Sequence, residues 1–189
     1  MKKILLVALV AFTMLSCNQG VTVSFDDPKS QAILSVYDSY MENDAAAIES
    51  LYAEDAVVYL NSLDSIPIQE NVKNLSMHHE LFDDISLSWG DGENERTAFV
   101  QTSSYPTVDV TLAWFTWSGT GKASGKTYNV PTHVVYFWGE DGKVSSSSLF
   151  NDSASFTEEM NAVAASSDCL LYTSPSPRDT LLSRMPSSA

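Results

Sequence analysis

The sequence predicts an α+β fold in which helices come first and a mostly antiparallel sheet follows. In several stretches between residues 28 and 82, apolar side chains recur every three or four residues, which is the spacing of amphipathic helices. Between residues 85 and 150 they alternate along runs rich in aromatic and β-branched residues, which is typical of strands. Clusters of Gly, Asp and Ser separate these later runs and favour hairpin connections.

The first helix is predicted to begin at Asp27-Pro28, because Asp is a good N-cap and Pro suits the first helical position. Apolar side chains continue at helical spacing through Glu42. Asn43-Asp44 interrupts the pattern, and Asp44 can cap a second, shorter helix that carries Leu51 and Tyr52.

A third helix is predicted after a short strand at residues 56–60. Its apolar positions lie four or three residues apart and therefore share one face: Ile68, Val72, Leu75, His79 and Phe82. We expect His79 on this apolar face and His78 elsewhere on the helix.

The second half of the chain is predicted to be sheet. The expected strands are residues 85–89, 97–102, 108–118, 128–138 and 143–150. Glu140-Asp141-Gly142 predicts a tight turn before the last of them. The pattern Ser155-x-x-Glu158 resembles a capping box and predicts a final short helix.

The N-terminus, MKKILLVALVAFTMLSC, resembles a bacterial lipoprotein signal. Two lysines precede an apolar run, residues 4–15, that is too short to span a bilayer but suits a signal peptide. We expect residues 1–16 to be removed, Cys17 to carry the lipid, and residues 17–26 to form a tether. The chain would then be anchored to a membrane of the bacterial cell envelope, on its periplasmic or outer surface. The alternative is an ordinary secretory signal in which Cys17 is incidental.

The C-terminus, from Cys169 to Ala189, corresponds to translated sequencing-adaptor DNA: CLLYTSPSPRD and SRMPSSA match two constant adaptor segments in one reading frame. We expect residues 169–189 to be non-native. Residues 27–156 then form the domain, and residues 157–168 form a fragment of a C-terminal helix. The alternative is a genuine flexible tail.

The charge balance excludes one class of partner. Residues 17–168 contain 6 Lys and Arg against 23 Asp and Glu, a net charge of −17. Such a surface repels phosphate backbones, so no nucleic-acid partner is expected. Cys17 is the only cysteine outside residues 169–189, which leaves no intrachain disulfide, so the fold must depend on its core.

Several stretches together resemble the nuclear transport factor 2-like superfamily, particularly its SnoaL-like branch. They are YDSYMENDAAAIESLYAEDAVV, LFDDISLSW, SGTGKASGKTYNVPTHVVYFWGEDGKV and LFND, and they cover residues 28–156 in the order the family shows. The resemblance implies a curved sheet wrapped as a cone around the N-terminal helices, a roll of the cystatin-like kind. It also implies a pocket at the wide end and a homodimer through the outer face of the sheet. Members include cyclases, isomerases, dehydratases, hydrolases and binding proteins, so the fold does not give the function.

Three residues are candidates for catalysis: His79, His133 and Asp109. If their faces look into the cone, His79 and His133 could transfer protons or contact a ligand. Otherwise His79 is a core histidine, and His133 belongs to a dimer interface or to solvent. Asp109 lies within a strand, where a carboxylate is costly unless it is paired or functional, and exposure at the strand edge is its alternative.

Aromatic residues supply the candidate ligand contacts. Tyrosine hydroxyls could donate to a ligand, and rings on strands could line the pocket, although packing is the alternative for each: Tyr37, Tyr52, Trp114, Tyr128 and Phe137. No metal site or cofactor is expected, because His78 and His79 cannot both face one ion from adjacent positions on a helix.

The leading expectation for function is a lipid-anchored protein that binds a small apolar molecule in the cone. A cyclase- or isomerase-like enzyme with a His or Asp base is the first alternative. A non-catalytic module that dimerises or binds a partner through a Trp-rich sheet face is the second.

Overall fold

The computed structural model describes residues 20–90 and 96–172. Cys17 and the signal sequence therefore lie outside the described residues, as do residues 173–189 of the expected non-native tail. The helices are α1 (Pro28–Met41), α2 (Ala45–Ser50), α3 (Ile68–Leu81) and α4 (Ala154–Tyr172). The strands are β1 (Thr22–Ser24), β2 (Tyr52–Leu60), β3 (Ser65–Pro67), β4 (Phe82–Ser88), β5 (Val100–Ser104), β6 (Asp109–Gly121), β7 (Thr127–Trp138) and β8 (Val144–Phe150). A 3-10 turn, Arg96–Phe99, precedes β5.

Within the described residues, all eight strands belong to one curved sheet: seven follow the order β1-β5-β6-β7-β8-β2-β3, and β4 pairs with β6 beside β5. Strand β6 is 13 residues long and is paired with β7 along one edge; β5 occupies the first part of its other edge and β4 the last part. Every pairing is antiparallel except that of β2 with β8, which is parallel. The predicted α+β class with a mostly antiparallel sheet is therefore confirmed.

The first two helices begin where the sequence predicts. Asp27 caps α1 by accepting hydrogen bonds from the backbone N–H groups of Lys29, at 2.9 Å, and Ser30, at 3.1 Å. Asp44 caps α2 through the N–H of Ala47, at 3.0 Å. Helix α1 packs on β5 and β6, and α3 packs on α2 and β2, so these helices cover the concave face of the sheet.

Two strands were not predicted, and one helix is shorter than expected. Residues 22–24, expected in the tether, form the edge strand β1 beside β5. Residues 65–67 form β3, which pairs with β2. Helix α2 ends before Tyr52, which is the first residue of β2. A β-branched and aromatic run follows Tyr52, and its pairing with β8 outweighs the helical spacing of Ile48 and Tyr52.

The last helix begins without the expected capping box. The N–H of Ala154 donates to the carboxylate of Asp152 at 2.9 Å, and Glu158 forms an ion pair with Lys126. Helix α4 continues through Tyr172, past the expected boundary at residue 168, because no Pro or Gly interrupts residues 154–172. Within residues 20–90 and 96–172, no helix has the length and apolar character needed to cross a membrane.

Candidate ligand-binding cavity

A cavity of about 340 Å³ lies between the concave face of the sheet and the helices that cover it. Its floor comes from alternate residues of β6 and β7, since neighbouring residues of a strand point to opposite faces. Helices α1 and α3 form the roof, and the first turn of α4 lies at the rim. Most of the lining side chains are aromatic or aliphatic: Val36, Tyr37, Tyr40, Ile48, Tyr52, Val58, Leu60, Leu75, Phe82, Leu87, Phe115, Trp117, Val130, Val134, Tyr136, Leu149 and Phe156.

Two of the predicted ligand-contacting tyrosines line this cavity. The hydroxyl of Tyr37 lies 2.8 Å from that of Tyr136, and the hydroxyl of Tyr52 lies 3.4 Å from Ser147 Oγ. Burial raises the pKa of Tyr37 and of Tyr136 far above the ordinary value, and it raises the pKa of Tyr52 to about 12. These hydroxyls therefore stay protonated and are already paired within the protein, so the rings are what they offer to a ligand.

A three-residue hydrogen-bonded chain borders the cavity. Trp117 Nε1 donates to the hydroxyl of Tyr40 at 2.7 Å, and that hydroxyl lies 3.0 Å from Nδ1 of His78. All three side chains line the cavity. Burial and, to a smaller extent, the neighbouring His79 lower the pKa of His78 to about 4, so His78 is neutral at pH 7.

The expected orientation of the two α3 histidines is reversed. His78 lines the cavity, whereas His79 is absent from its lining and packs edge-on against the Tyr40 ring, with centroids 5.1 Å apart. His79 Nε2 is buried and has no hydrogen-bond partner among the described residues. The prediction followed Ile68 and Val72, which are buried in the core but do not line the cavity, and Phe82, which has extended backbone (φ −123°, ψ 143°) and begins β4. The cavity-facing stripe of α3 is instead Asn71, Asn74, Leu75 and His78.

Three of the candidate residues lie on the outer face of the sheet. The His133 ring stacks on Trp114, with centroids 4.8 Å apart, and its Nδ1 lies 3.1 Å from the carbonyl oxygen of Ala113. Phe137 follows on the same face of β7 and is 37% exposed. His133 therefore lies on the convex side of the sheet, which was one of its two expected placements. Trp114 and Phe137 point away from the cavity on the same side, so they cannot contact a ligand in it.

The two remaining candidates, Asp109 and Tyr128, do not line the cavity. Asp109 begins β6, forms an ion pair with Lys29, and has a pKa held low by that contact. Asp109 is thus paired and half-buried at the first residue of an interior strand, so it is neither a cavity residue nor exposed at a strand edge. Tyr128 is half-buried near the start of β7, where its ring packs edge-on against Phe82, and it is absent from the cavity lining.

The structure does not bring the three catalytic candidates together. His79 is on α3, His133 is on the outer face of β7, and Asp109 is beside the start of α1. No cluster of three or more His, Cys, Asp or Glu side chains suited to a metal ion occurs in residues 20–90 and 96–172. The cavity can therefore supply aromatic surface and one histidine, and it supplies no paired carboxylates.

Sequence reasoning missed His78 as a cavity residue and Glu159 as a buried carboxylate. Ile68, Asn71, Leu75 and His78 also lie three or four residues apart, and this face of α3 would have placed His78 towards the cavity. The prediction missed it because it considered only apolar residues, and asparagine is polar. Glu159 is fully buried, and its Oε1 accepts the N–H of Ala123 at 2.6 Å, so it holds α4 against the turn between β6 and β7. Nothing in its local sequence distinguishes it from the exposed Glu158.

Comparison with solved structures identifies the fold. A proposed polyketide cyclase, IdmH from Streptomyces antibioticus, superposes with a TM-score of 0.53 at 14% identity, covering 71% of this chain and 99% of that one. A nuclear transport factor 2-like protein from Burkholderia thailandensis gives 0.51 at 16% identity, covering 70% and 96%. A proposed SnoaL-like polyketide cyclase from Jannaschia sp. CCS1 gives 0.51 at 14% identity, covering 68% and 88%.

Sequence comparison adds nothing to this: no protein-family profile and no curated protein matches the chain. At 14–16% identity, structural similarity establishes the fold and not the activity. The curved sheet, the helices on its concave face and these structures together show that the chain has the nuclear transport factor 2-like fold.

Proposed function

We propose that this protein binds a small, largely apolar molecule in the cavity between its sheet and its helices. The observation that carries the proposal is the cavity itself. Its volume of about 340 Å³ falls within the range of small-molecule sites, and aromatic and aliphatic side chains form most of its surface. A preformed apolar hollow that stays open in a folded domain loses packing energy, which a ligand of matching shape can restore.

The chemistry of the polar groups supports a binding role over acid–base catalysis. A general base works best when its pKa is near the operating pH, whereas the pKa of His78 is about 4. Catalysis would also need a second group within reach across the cavity, and the predicted partners of a histidine base are elsewhere in the fold. The similarity to proposed polyketide cyclases supports the class of ligand, since polyketides are multi-ring molecules with much apolar surface.

A pair of substitutions on β7 tests the proposal. Val134 lines the cavity, and its neighbour Val135 is on the outer face of the same strand. Val134→Phe should fill the cavity and weaken binding of neutral fused-ring compounds at least tenfold, whereas Val135→Phe adds the same ring outside and should change affinity less than twofold. Binding is measured by calorimetry, with melting temperatures as the check on folding. If no compound in a panel of two- to four-ring neutral probes binds the wild type, the proposal fails.

We also propose that Cys17 carries a lipid that anchors the protein to the bacterial cell envelope. The support is the arrangement of two lysines, an apolar run and Ser16-Cys17. Cells expressing the chain are fed an azido fatty acid, and the label is detected after gel separation. Wild type and Cys169→Ser should be labelled, whereas Cys17→Ser should not. Equal labelling of Cys17→Ser would exclude this attachment site.

A homodimer through the outer face of the sheet is the third part of the proposal. Large apolar side chains remain exposed there, with Trp114 38%, Phe137 37% and Phe150 53% accessible. Stacking of Trp114, His133 and Phe150 makes this patch continuous across β6, β7 and β8. Contiguous exposed aromatic surface on an acidic domain is typical of an interface.

A further inference from the structure

The hydrogen bonds around Tyr40 have a fixed direction. An indole N–H can only donate, so the contact between Trp117 Nε1 and the Tyr40 hydroxyl oxygen, at 2.7 Å, uses that oxygen as an acceptor. Tyr40 is 6% exposed, and its hydroxyl has one other partner in the described part of the chain, Nδ1 of His78 at 3.0 Å. The phenolic proton therefore goes to Nδ1, because the opposite arrangement would leave that proton without an acceptor.

The direction of this bond determines where His78 carries its own proton. A neutral imidazole has one N–H, and if Nδ1 accepts, the proton is on Nε2. Burial keeps the ring neutral, with a pKa of about 4, so this tautomer persists across the physiological range. His78 Nε2 has no protein partner in residues 20–90 and 96–172, yet it is not buried: the single buried side-chain polar atom without a partner there is Nε2 of His79.

The surroundings of His78 select against an anionic ligand. The described residues that line the cavity include no Lys or Arg, and Asp152 lies at its rim. The whole chain has 10 Lys and Arg against 24 Asp and Glu, so its field repels anions. A carboxylate in the cavity would lose its hydration and gain no cation.

We propose that the ligand is an apolar molecule bearing a neutral hydrogen-bond acceptor, a ketone, quinone or ether oxygen, which accepts the proton on His78 Nε2. Trp117 and Tyr40 are positioning residues: they touch His78 and fix its tautomer. This inference rests on the proposed function, since it specifies which apolar molecules the cavity prefers. It predicts a ketone in preference to the hydrocarbon of the same shape.

Three probes built on one fused-ring skeleton test the preference by calorimetry: fluorene, 9-fluorenone and fluorene-9-carboxylate. The wild type should bind fluorenone on the order of tenfold more tightly than fluorene, as one hydrogen bond away from water allows, and the carboxylate least. His78→Phe should bind both neutral probes equally. His78→Gln, whose amide nitrogen can replace Nε2 as a donor, should restore the preference. Equal binding of fluorene and fluorenone to the wild type would overturn the inference and leave the proposed function standing, whereas failure of both to bind would overturn both.

The tautomer is tested without any ligand. The ring nitrogens of ¹⁵N-labelled histidine report by NMR which one carries the proton. Wild type should show protonated Nε2 and unprotonated Nδ1 at His78, and Tyr40→Phe should show a mixture, because Nδ1 has lost its donor. A proton on Nδ1 in the wild type would overturn the inference.

Discussion

Trp138 Nε1 donates to the hydroxyl of Thr111 at 2.8 Å, and this bond is the first of a buried chain. Thr111 lies 2.8 Å from the hydroxyl of Thr102, which lies 2.9 Å from that of Ser30, and Ser30 donates to the carboxylate of Asp27 at 2.7 Å. Because the indole only donates and the carboxylate only accepts, every hydroxyl in between has a fixed direction. The chain thus joins the core of the sheet to the N-cap of α1.

Removing one hydroxyl from the middle of this chain should be costly. Thr111→Val keeps the shape of the side chain but leaves the Trp138 N–H and the Thr102 hydroxyl with an unmade bond in a dry interior. We expect the free energy of unfolding to fall by about 1–3 kcal/mol. Urea denaturation measures it, and Thr111→Ser, which keeps the hydroxyl, is the control. A Thr111→Val protein at least as stable as Thr111→Ser would show that the chain contributes nothing.

His78 should make the fold sensitive to mild acid. Its pKa is near 6.5 in the unfolded chain and about 4 in the folded one, where burial and then His79 lower it. Between these values the unfolded chain binds a proton that the folded chain does not, so stability falls as the pH decreases from 6.5 to 4. Below pH 4 this contribution levels off.

The comparison is unfolding free energy against pH for wild type and His78→Phe. The difference between the two curves isolates His78 from the many carboxylates that also titrate below pH 5. The wild type should lose more stability than the variant between pH 6.5 and 4. Parallel curves would mean that folding leaves the pKa of His78 unchanged.

Gly121 and Glu159 should depend on each other. A Cβ built at Gly121 would lie 1.9 Å from Glu159 Oε2, so Gly121→Ala must displace a carboxylate that is fully buried and bonded to the Ala123 N–H. We expect a loss of about 2 kcal/mol or more, the usual range for disrupting a buried charged hydrogen bond. Gly20→Ala is the control, because nothing lies within 4 Å of its Cβ.

Hydrogen exchange locates the effect. In Gly121→Ala, the amides of residues 157–166 should lose protection, since α4 is released from the β6–β7 turn, while those of β7 should keep theirs. Loss of protection spread evenly over the sheet would contradict a local role for Glu159.

The outer face of the sheet should determine the oligomeric state. A glutamate at Trp114 or Phe137 places a charge in the centre of the aromatic patch, so Trp114→Glu or Phe137→Glu should convert a dimer to a monomer in light scattering. Leu63 is 98% exposed in the loop before β3, and Leu63→Glu should leave the mass unchanged. A wild type that is monomeric at all concentrations would exclude the dimer.

Much of the fold could be predicted because the local signals are strong. Asp27-Pro28 marks the start of α1, and alternation along residues 128–138 correctly separates Val134 and Tyr136 from His133 and Phe137. What alternation cannot give is which of the two faces is concave, because both carry aromatic residues. Trp114 and Phe137 were therefore predicted to contact a ligand, although they lie on the outer face of the sheet.

The site was harder to predict because α3 has two neighbouring buried faces. Ile68 and Val72 pack in the core without lining the cavity, and they turned the predicted face towards His79, whereas the cavity meets the adjacent face that carries Asn71 and His78. The end of α3 at Leu81 likewise depends on the pairing of Phe82 with Gly121, some forty residues later, and no local pattern reports it. The parallel pairing of β2 with β8 was hidden for the same reason.

That parallel pairing has a consequence for how the chain is made. On one side residues 52–60 pair with β3 soon after they are made, but on the other side their partner is residues 144–150. That second edge of β2 therefore stays unpaired while about ninety further residues are synthesised. During this interval its apolar face is open to any chaperone at the exit of the ribosome or translocation channel. A pause in translation before β8 should therefore capture a nascent chain whose long β6–β7 hairpin has formed and whose cone has not closed.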